Sequence, residues 1–258
     1  MSKDKARFGK LIERDDGRDF PFYNLLPAEI PTWKWILIIL SCMVGFAALL
    51  FIGFENQMLS LIPRILFAGI PLVTFIVLAK PNWKAIFKPL KWADAPTMIV
   101  FWLLTLGLSA AAAFIATGGN PAGGHLAANS ATDTVLAGGV WGIIGFYLGT
   151  FIQLFGEELV TILPFLAVLY WLHATFNVSR KLAIIAALIV TAISFGAMHL
   201  PTYNWNFVQA IVLIGIARIA LTLAFIRTKN ILVSFGAHVL NDWVTFTVVL
   251  LVAAAAMN

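Results

Sequence analysis

Seven long apolar runs dominate the sequence and restrict the folds open to it. About 20 consecutive apolar residues cross a bilayer as a helix, and each run reaches roughly that length. Hydrophobic residues make up 61% of the chain and charged residues only 11%, whereas a soluble domain carries roughly a quarter charged residues. We therefore predict an all-α, polytopic transmembrane helical bundle. The predicted spans are 32–54, 60–80, 95–117, 138–172, 182–200, 207–226 and 231–256.

The fourth run is longer than one crossing needs, and it contains Pro164. It is therefore either one long, kinked helix or a re-entrant segment followed by a helix. Lysine and arginine occur in the N-terminal segment and in alternate loops, whereas loops 55–59, 118–137 and 201–206 contain neither. The positive-inside rule then favours a single crossing for the fourth run. It places the N-terminus in the cytoplasm and the C-terminus outside a cell membrane.

The basic residues of the chain point to a lipid bilayer as partner rather than to nucleic acid. They account for a net charge of +5, but they lie between apolar runs and form no basic stripe with interleaved aromatic residues. Residues 1–31 are polar and mixed in charge, and no cleavage site follows the first run. We interpret 1–31 as a cytoplasmic tail and 32–256 as one transmembrane domain.

Five ionisable side chains within the predicted spans indicate where function resides. They are Glu157, Glu158, His199, His238 and Asp242. A carboxylate or an imidazole is costly at membrane depth and is tolerated where it faces a bundle interior and has partners, so it marks a functional site by default. The structural alternative is a polar patch that only holds helices together.

The two adjacent glutamates of the fourth span must have different roles. Neighbouring residues on a helix point about 100° apart, so one carboxylate can face a cavity while the other pairs with a neighbouring helix. A buried glutamate is suited to act as a general base near neutral pH. We therefore expect a catalytic and a structural member of the Glu157–Glu158 pair.

Spans five and seven each add a histidine with companions at helical spacing. Phe195 and His199 are four residues apart and share a helix face. Asn241 and Asp242 lie three and four residues after His238, so either could fix the tautomer of its ring. A carboxylate and an imidazole that activate water, with donors that hold an oxyanion, are the groups that amide hydrolysis needs.

Two arginines also lie within predicted spans. Arg218 is deep in the sixth span and must be paired, and its nearest available counter-ions are Glu158 and Asp242. Arg64 is close to the end of the second span, where its side chain could snorkel to the interface. We therefore give Arg64 little weight.

The three motifs resemble, in order and spacing, those of the CPBP family of CAAX proteases and bacteriocin-processing or self-immunity proteins, also called Abi. The family pattern is E-E-x-x-x-R, then F-x-x-x-H, then H-x-x-x-N/D, each on its own transmembrane helix. Here the matching residues are Glu157-Glu158, Phe195-x-x-x-His199 and His238-x-x-x-Asp242. The resemblance covers about 140–245 and implies a protease-like core within 138–256.

The resemblance implies an intramembrane endopeptidase that acts on a peptide or a membrane protein. By its mapping, Glu157 and His199 activate a water, and His238 and Asp242 stabilise the oxyanion. Glu158 is then the structural partner, with Phe195 and Asn241 in support. The family is often called a metalloprotease, and Glu157, His199 and His238 could ligate zinc, but the chain contains no H-E-x-x-H. We expect no cofactor, with zinc as the alternative.

The chain departs from the family pattern at two positions. Ile162 stands where the pattern has arginine, and we expect Arg218 to supply the missing cation to Glu158, because two buried opposite charges should pair. An ionised Asp242 would repel an oxyanion, so it must be protonated, bridged to His238 or replaced in that role by Asn241.

Two other functions remain open at this point. Ile162 favours a degenerate protease fold that acts in bacteriocin self-immunity or as a scaffold. The third alternative is a transporter that uses the acids and histidines as a proton relay. No inverted repeat or pair of broken helices supports transport.

Overall fold

Seven apolar helices make up the transmembrane part of the molecule. The computed structural model describes residues 7–9, 11–54, 56, 58–119, 126–127, 132 and 135–256. Within these residues the regular structure is all helical, and seven helices are long and apolar enough to cross a membrane. The predicted fold class is confirmed. Most of the predicted loop 118–137 lies outside the described residues.

The helices begin and end within a few residues of the predicted spans, because the length of each apolar run determines how much helix can be buried in lipid. Two π-helical segments continue the regular helices: Trp171–Thr175 follows the fourth helix, and Val208–Ile214 leads into the sixth. The helices are α1 (Thr32–Phe51), α2 (Leu61–Leu78), α3 (Ala95–Ala116), α4 (Gly139–Tyr170), α5 (Arg180–Met198), α6 (Gly215–Thr228) and α7 (Ile231–Ala256).

Helix α4 is the central element of the bundle. It passes through Pro164 as one continuous helix, so the fourth apolar run contains no re-entrant segment. It packs against α1, α2, α5, α6 and α7. A Cβ atom at Gly156 would lie 2.6 Å from Cδ1 of Phe67, so glycine is required for α2 to approach this turn closely. The same turn carries the two glutamates.

The N-terminal segment packs against one end of the bundle through aromatic side chains. Phe20, Phe22 and Tyr23 are at most 2% exposed and belong to the main apolar core. The ring of Phe20 lies 5.6 Å from that of Phe165 in α4, and the ring of Phe22 lies 6.2 Å from that of Trp35 in α1. The segment before α1 is therefore folded together with the bundle.

A buried carboxylate attaches the same segment to two basic loops. Arg180 donates to both oxygens of Glu13, at 2.6 and 3.0 Å, and Nζ of Lys229 donates to Oε1 at 2.5 Å. The backbone N–H of Phe8 donates to Oε2 at 2.6 Å. Burial alone raises the pKa of Glu13, but the bonds from Arg180 and Lys229 outweigh it and lower that pKa to about 2.

Replacing Glu13 with glutamine should destabilise the protein by about 3–5 kcal/mol, because it takes the carboxylate partner from buried Lys229 and leaves buried Arg180 with Asp19 alone. The contribution of Glu13 is complete above its ordinary pKa of 4.5 and is lost as the pH falls through about 2. Thermal unfolding in detergent would be followed by circular dichroism from pH 7 to pH 2. The unfolding temperature should fall less with pH in Glu13→Gln than in the unchanged protein.

Asp15→Asn is the matched control, because the Asp15 side chain is 84% exposed and its ion pair with Arg7 lies at the surface. Its unfolding temperature and acid profile should follow those of the unchanged protein. Equal acid profiles for Glu13→Gln and the unchanged protein would contradict this account of the cluster.

Candidate active site

A cavity of about 720 Å³ opens between helices α2 to α7. It brings together predicted site residues that lie up to 85 positions apart in the sequence, from Glu157 to Asp242. Glu158 lies behind the wall of the cavity and is fully buried. The predicted site residues on the wall are Glu157, Phe195, His199, Arg218, His238, Asn241 and Asp242.

Glu158 is held by donors from two other helices. Nη1 of Arg218 in α6 donates to its Oε1 at 2.7 Å, and both side chains are fully buried. From α7, the hydroxyl of Ser234 donates to Oε2 at 2.6 Å and Nδ1 of His238 lies 3.0 Å from Oε1. The expected pairing of Glu158 with Arg218 is therefore present, and this carboxylate connects α4, α6 and α7.

The rest of the Arg218 guanidinium is also enclosed by the bundle. Its Nε donates to the hydroxyl of Thr222 at 3.2 Å. Its Cζ lies 5.2 Å from the centre of the Phe195 ring, which is a cation–π distance. Among the described residues, Nη2 of Arg218 has no hydrogen-bond partner.

Ile162 occupies the position at which the family motif has arginine. Its side chain is fully buried in the main apolar core and has no polar group that needs a hydrogen-bond partner. The cation for Glu158 comes instead from Arg218 on α6. Position 162 is therefore part of the core, and the ion pair of Glu158 is a contact between two helices, α4 and α6.

The ring of His238 is oriented by Glu158. An ionised carboxylate only accepts hydrogen bonds, so Nδ1 of His238 is the donor in this contact. Nε2 then points toward the cavity, 3.6 Å from Oε2 of Glu157 and 3.8 Å from Oδ1 of Asp242. Glu158 thus faces Nδ1 of His238, and Glu157 faces Nε2 of the same ring.

Glu157 is partly exposed to the cavity and is steadied from its own helix. The amide of Gln153, one turn earlier, donates to Oε1 at 3.0 Å. Oε2 remains directed toward His238, and the residue is 7% exposed. One carboxylate oxygen is therefore anchored while the other faces the cavity.

His199 lies at the end of α5 and is fixed by its own helix. Its Nδ1 lies 2.8 Å from the backbone carbonyl of Phe195, which only accepts, so Nδ1 donates and Nε2 of the neutral ring is an acceptor. The ring stacks against Tyr203 at 6.4 Å between centres. The Phe195 ring lies 4.6 Å from that of His199 and 6.3 Å from that of His238, so it contacts both histidines.

Asp242 is shared between its neighbour and the His238 ring. Nδ2 of Asn241 donates to Oδ1 of Asp242 at 2.9 Å, and the same oxygen lies 3.8 Å from Nε2 of His238. Asp242 is therefore close to His238 without a direct hydrogen bond to it. The amide of Asn241 is occupied by Asp242 rather than directed at the cavity centre.

The sequence interpretation missed three polar residues that support the site. Gln153, Thr222 and Ser234 each bond a site residue. Each lies four residues from a predicted site residue on the same helix, so the i,i+4 spacing was a signal that could have found them. Arg64, expected to snorkel, instead lines the cavity.

The groups proposed for zinc do not form a ligand set. Within the described part of the chain, no three His, Cys, Asp or Glu side chains are grouped so that they could hold a metal ion. The Nδ1 atoms of His199 and His238 are engaged with a carbonyl and a carboxylate, as in many metal-binding histidines, so Nε2 is the ring nitrogen that a metal would use. Zinc bound by Glu157, His199 and His238 would need these side chains to rearrange.

Comparison with known families finds a match over the second half of the chain. Residues 139–244 match the model of the family described as Type II CAAX prenyl endopeptidase Rce1-like. The matched region includes α4, α5, α6 and the first half of α7, the four helices that carry the site. The resemblance predicted from the three motifs is confirmed at this level. The chain matches no curated protein and no solved structure.

Replacing Arg218 with leucine should destabilise the protein by about 3–5 kcal/mol, because Glu158 would remain as a buried charge without its cation. Adding Glu158→Gln should recover part of that loss, since the amide carries no charge to compensate. Unfolding of the two single variants and the double variant in detergent measures the coupling directly.

Glu157→Gln in the Arg218→Leu background is the control, because Glu157 is adjacent to Glu158 but makes no contact with Arg218 among the described residues. It should give no recovery. Equal recovery by both substitutions, or recovery by neither, would show that the Arg218–Glu158 pair is not what holds these helices together.

Proposed function

We propose that this chain, which carries a domain of the CAAX-protease family, is an intramembrane endopeptidase that hydrolyses a peptide bond with a water activated by Glu157 and His199. The observation that carries the proposal is the arrangement of two acceptors on one cavity wall. Oε2 of Glu157 and Nε2 of His199 both belong to side chains whose other polar atom is anchored within its own helix. A water between such groups is positioned and deprotonated at little cost in reorganisation.

The reaction then proceeds through a tetrahedral intermediate. Glu157 takes a proton from the water as the water oxygen bonds to the carbonyl carbon of the substrate. Collapse of the intermediate breaks the C–N bond, and the proton passes from Glu157 to the leaving amine. His199 orients the water through Nε2, and no step requires a covalent enzyme intermediate.

His238 and Asp242 support the charge that develops on the carbonyl oxygen. Nδ1 of His238 already donates to Glu158, so Nε2 serves as a second donor when the ring is cationic. Three carboxylates surround this ring: Glu158 lies 3.0 Å from Nδ1, and Glu157 and Asp242 lie 3.6 and 3.8 Å from Nε2. Asp242 thus acts on the oxyanion through His238, which accounts for an acid at a position where the family also has asparagine.

The loop charges predict which side of the membrane the substrate approaches from. The cavity is lined by the second half of α3, the first part of α4, the end of α5 and the middle of α7. Of these, the parts of α3, α4 and α5 border the segments that contain no lysine or arginine, which the positive-inside rule places outside. We propose that a peptide or membrane-protein substrate enters from the outer half of the bilayer.

A second candidate function is a protease fold without activity, acting as a binding protein in bacteriocin self-immunity or as a scaffold. Ile162 is the observation that favours it, since the motif arginine is missing. The contact between Arg218 and Glu158 weakens this alternative, because it supplies the same charge from α6.

Glu157→Gln and His199→Ala should each lower the rate of peptide cleavage by at least about 100-fold, because the first removes the base and the second removes the ring nitrogen that orients the attacking water. The purified protein in detergent would be incubated with a library of random decapeptides, and the new termini would be identified by mass spectrometry.

Glu29→Gln and His173→Ala are matched controls, since Glu29 is exposed and His173 bonds the carbonyl of Val178 away from the cavity. Both should keep full activity. Cleavage that survives Glu157→Gln and His199→Ala would exclude the proposed mechanism, and a folded protein that cleaves nothing would favour the binding function.

Adding a chelator to the same assay tests whether cleavage depends on a metal ion. Because the Glu157, His199 and His238 side chains are not arranged as a metal site, we expect 1,10-phenanthroline to leave the cleavage rate unchanged. Loss of activity with chelator, restored by added zinc, would require these side chains to rearrange around a metal.

A further inference from the structure

One face of helix α4 lines the cavity and carries a glutamine next to the proposed base. Thr150, Gln153 and Glu157 follow one another at intervals of three and four residues, and all three line the cavity. The hydroxyl of Thr150 is occupied, because it donates to a backbone carbonyl of its own helix and accepts from Nε1 of Trp243, both at 3.1 Å. Gln153 is therefore the group beside Glu157 that has hydrogen-bonding capacity left for a ligand.

The contact with Glu157 determines which way the amide of Gln153 points. An ionised carboxylate only accepts hydrogen bonds, so the group that lies 3.0 Å from Oε1 of Glu157 is the NH2 group of Gln153. Gln153 makes no other side-chain hydrogen bond to a residue that the structure describes. Its Oε1 is not enclosed by protein, although the side chain borders the cavity. An acceptor oxygen and one N–H of this amide are therefore open to the cavity.

Other side-chain amides of the same molecule show what such a group binds. Oε1 of Gln209 accepts from the backbone N–H of Ala127 at 2.7 Å, and its Nε2 donates to the carbonyl of the same residue at 2.8 Å. Asn230 pairs in the same way with the backbone of Lys88, at 3.1 and 3.0 Å. A primary amide thus matches the donor and the acceptor of a peptide backbone, and a peptide substrate carries both.

We propose that Oε1 of Gln153 accepts the N–H of the peptide bond that is cleaved. The proposal rests on the proposed endopeptidase function and adds a catalytic residue to it. In that mechanism Glu157 gives its proton to the leaving nitrogen, so this nitrogen must come within hydrogen-bond reach of Glu157. Oε1 of Gln153 belongs to the amide group that bonds to Glu157, so it lies beside the same position.

The contact assists the breaking of the C–N bond. As the carbonyl carbon becomes tetrahedral, the lone pair of the nitrogen is no longer shared with the carbonyl group and can accept a proton. Because the N–H is held by Gln153, the nitrogen turns this lone pair toward the proton on Glu157. The nitrogen keeps its original hydrogen, gains the proton from Glu157 and leaves as an amine, and Glu157 returns to a carboxylate. The N–H is a stronger donor at this stage than in the substrate, so the contact should act on kcat more than on KM.

Removing the N–H from the substrate tests the contact directly. The preferred bond would first be identified with the decapeptide library, and one peptide would then be made with either an amide or an ester at that bond. The ester has an oxygen in place of the N–H and cannot donate to Gln153. Gln153→Met removes the side-chain amide with little change in length. It should lower kcat for the amide about 10- to 100-fold more than for the ester, with a smaller change in KM.

Three further variants make this comparison decisive. Thr150→Val alters a residue of the same helix face whose hydroxyl is already occupied, so it should leave the ratio of the amide rate to the ester rate unchanged. Glu157→Gln removes the base that activates water in both reactions and should lower both rates. Gln153→Ala removes the same groups as Gln153→Met and gives a second measurement of the ratio if Gln153→Met does not fold.

Two results would overturn the proposal for Gln153 and leave the endopeptidase intact. An equal loss for the amide and the ester, in a folded Gln153 variant, would show that Gln153 only anchors Glu157. No loss for either substrate would show that Gln153 has no part in the reaction. Failure of the endopeptidase itself would appear differently, as no cleavage of the amide peptides by the unchanged protein.

Discussion

The fully buried carboxylate of Glu158 is the interaction on which the rest of the site depends. In a low-dielectric interior an ionised acid is stable only when its oxygens are saturated by donors. Here the donors are Arg218 of α6 and Ser234 and His238 of α7. One side chain of α4 thereby fixes the positions of two other helices, and it also sets the tautomer of the imidazole that faces the cavity. The Glu158 carboxylate therefore has two roles: it holds three helices together, and it orients the His238 ring.

The parts of the fold that depend on local properties could be predicted from the sequence. Span length follows from bilayer thickness and apolar composition, so the predicted and observed helices differ by only a few residues. The pairing of Glu158 with Arg218 was also predictable, because two buried charges of opposite sign have few other partners in an apolar bundle. Helical spacing likewise grouped His238 with Asp242.

Features that depend on how distant segments meet could not be predicted in this way. The position of Arg64 near a helix end was compatible with snorkelling. Only its contact with Gly149 of α4 shows that the side chain points into the bundle. The N-terminal segment has a polar composition typical of a tail, yet Glu13 bonds Arg180 and Lys229, which lie more than 160 residues later in the chain. Neither contact leaves a periodic signal in the sequence.

The cation that pairs with Glu158 comes from α6, and this origin determines what the ion pair does. An arginine four residues after Glu158 would stabilise a single helix, and its loss would leave the other helices free to adjust. Arg218 instead crosses between helices, lies over the Phe195 ring of α5, and thus contacts the residue that packs on both histidines. The relative positions of α4, α5 and α6 are therefore coupled through one guanidinium. In the proposed mechanism the water-activating groups come from α4 and α5 and the oxyanion donor from α7, and this contact would hold them in place, so the departure at position 162 is compatible with that proposal.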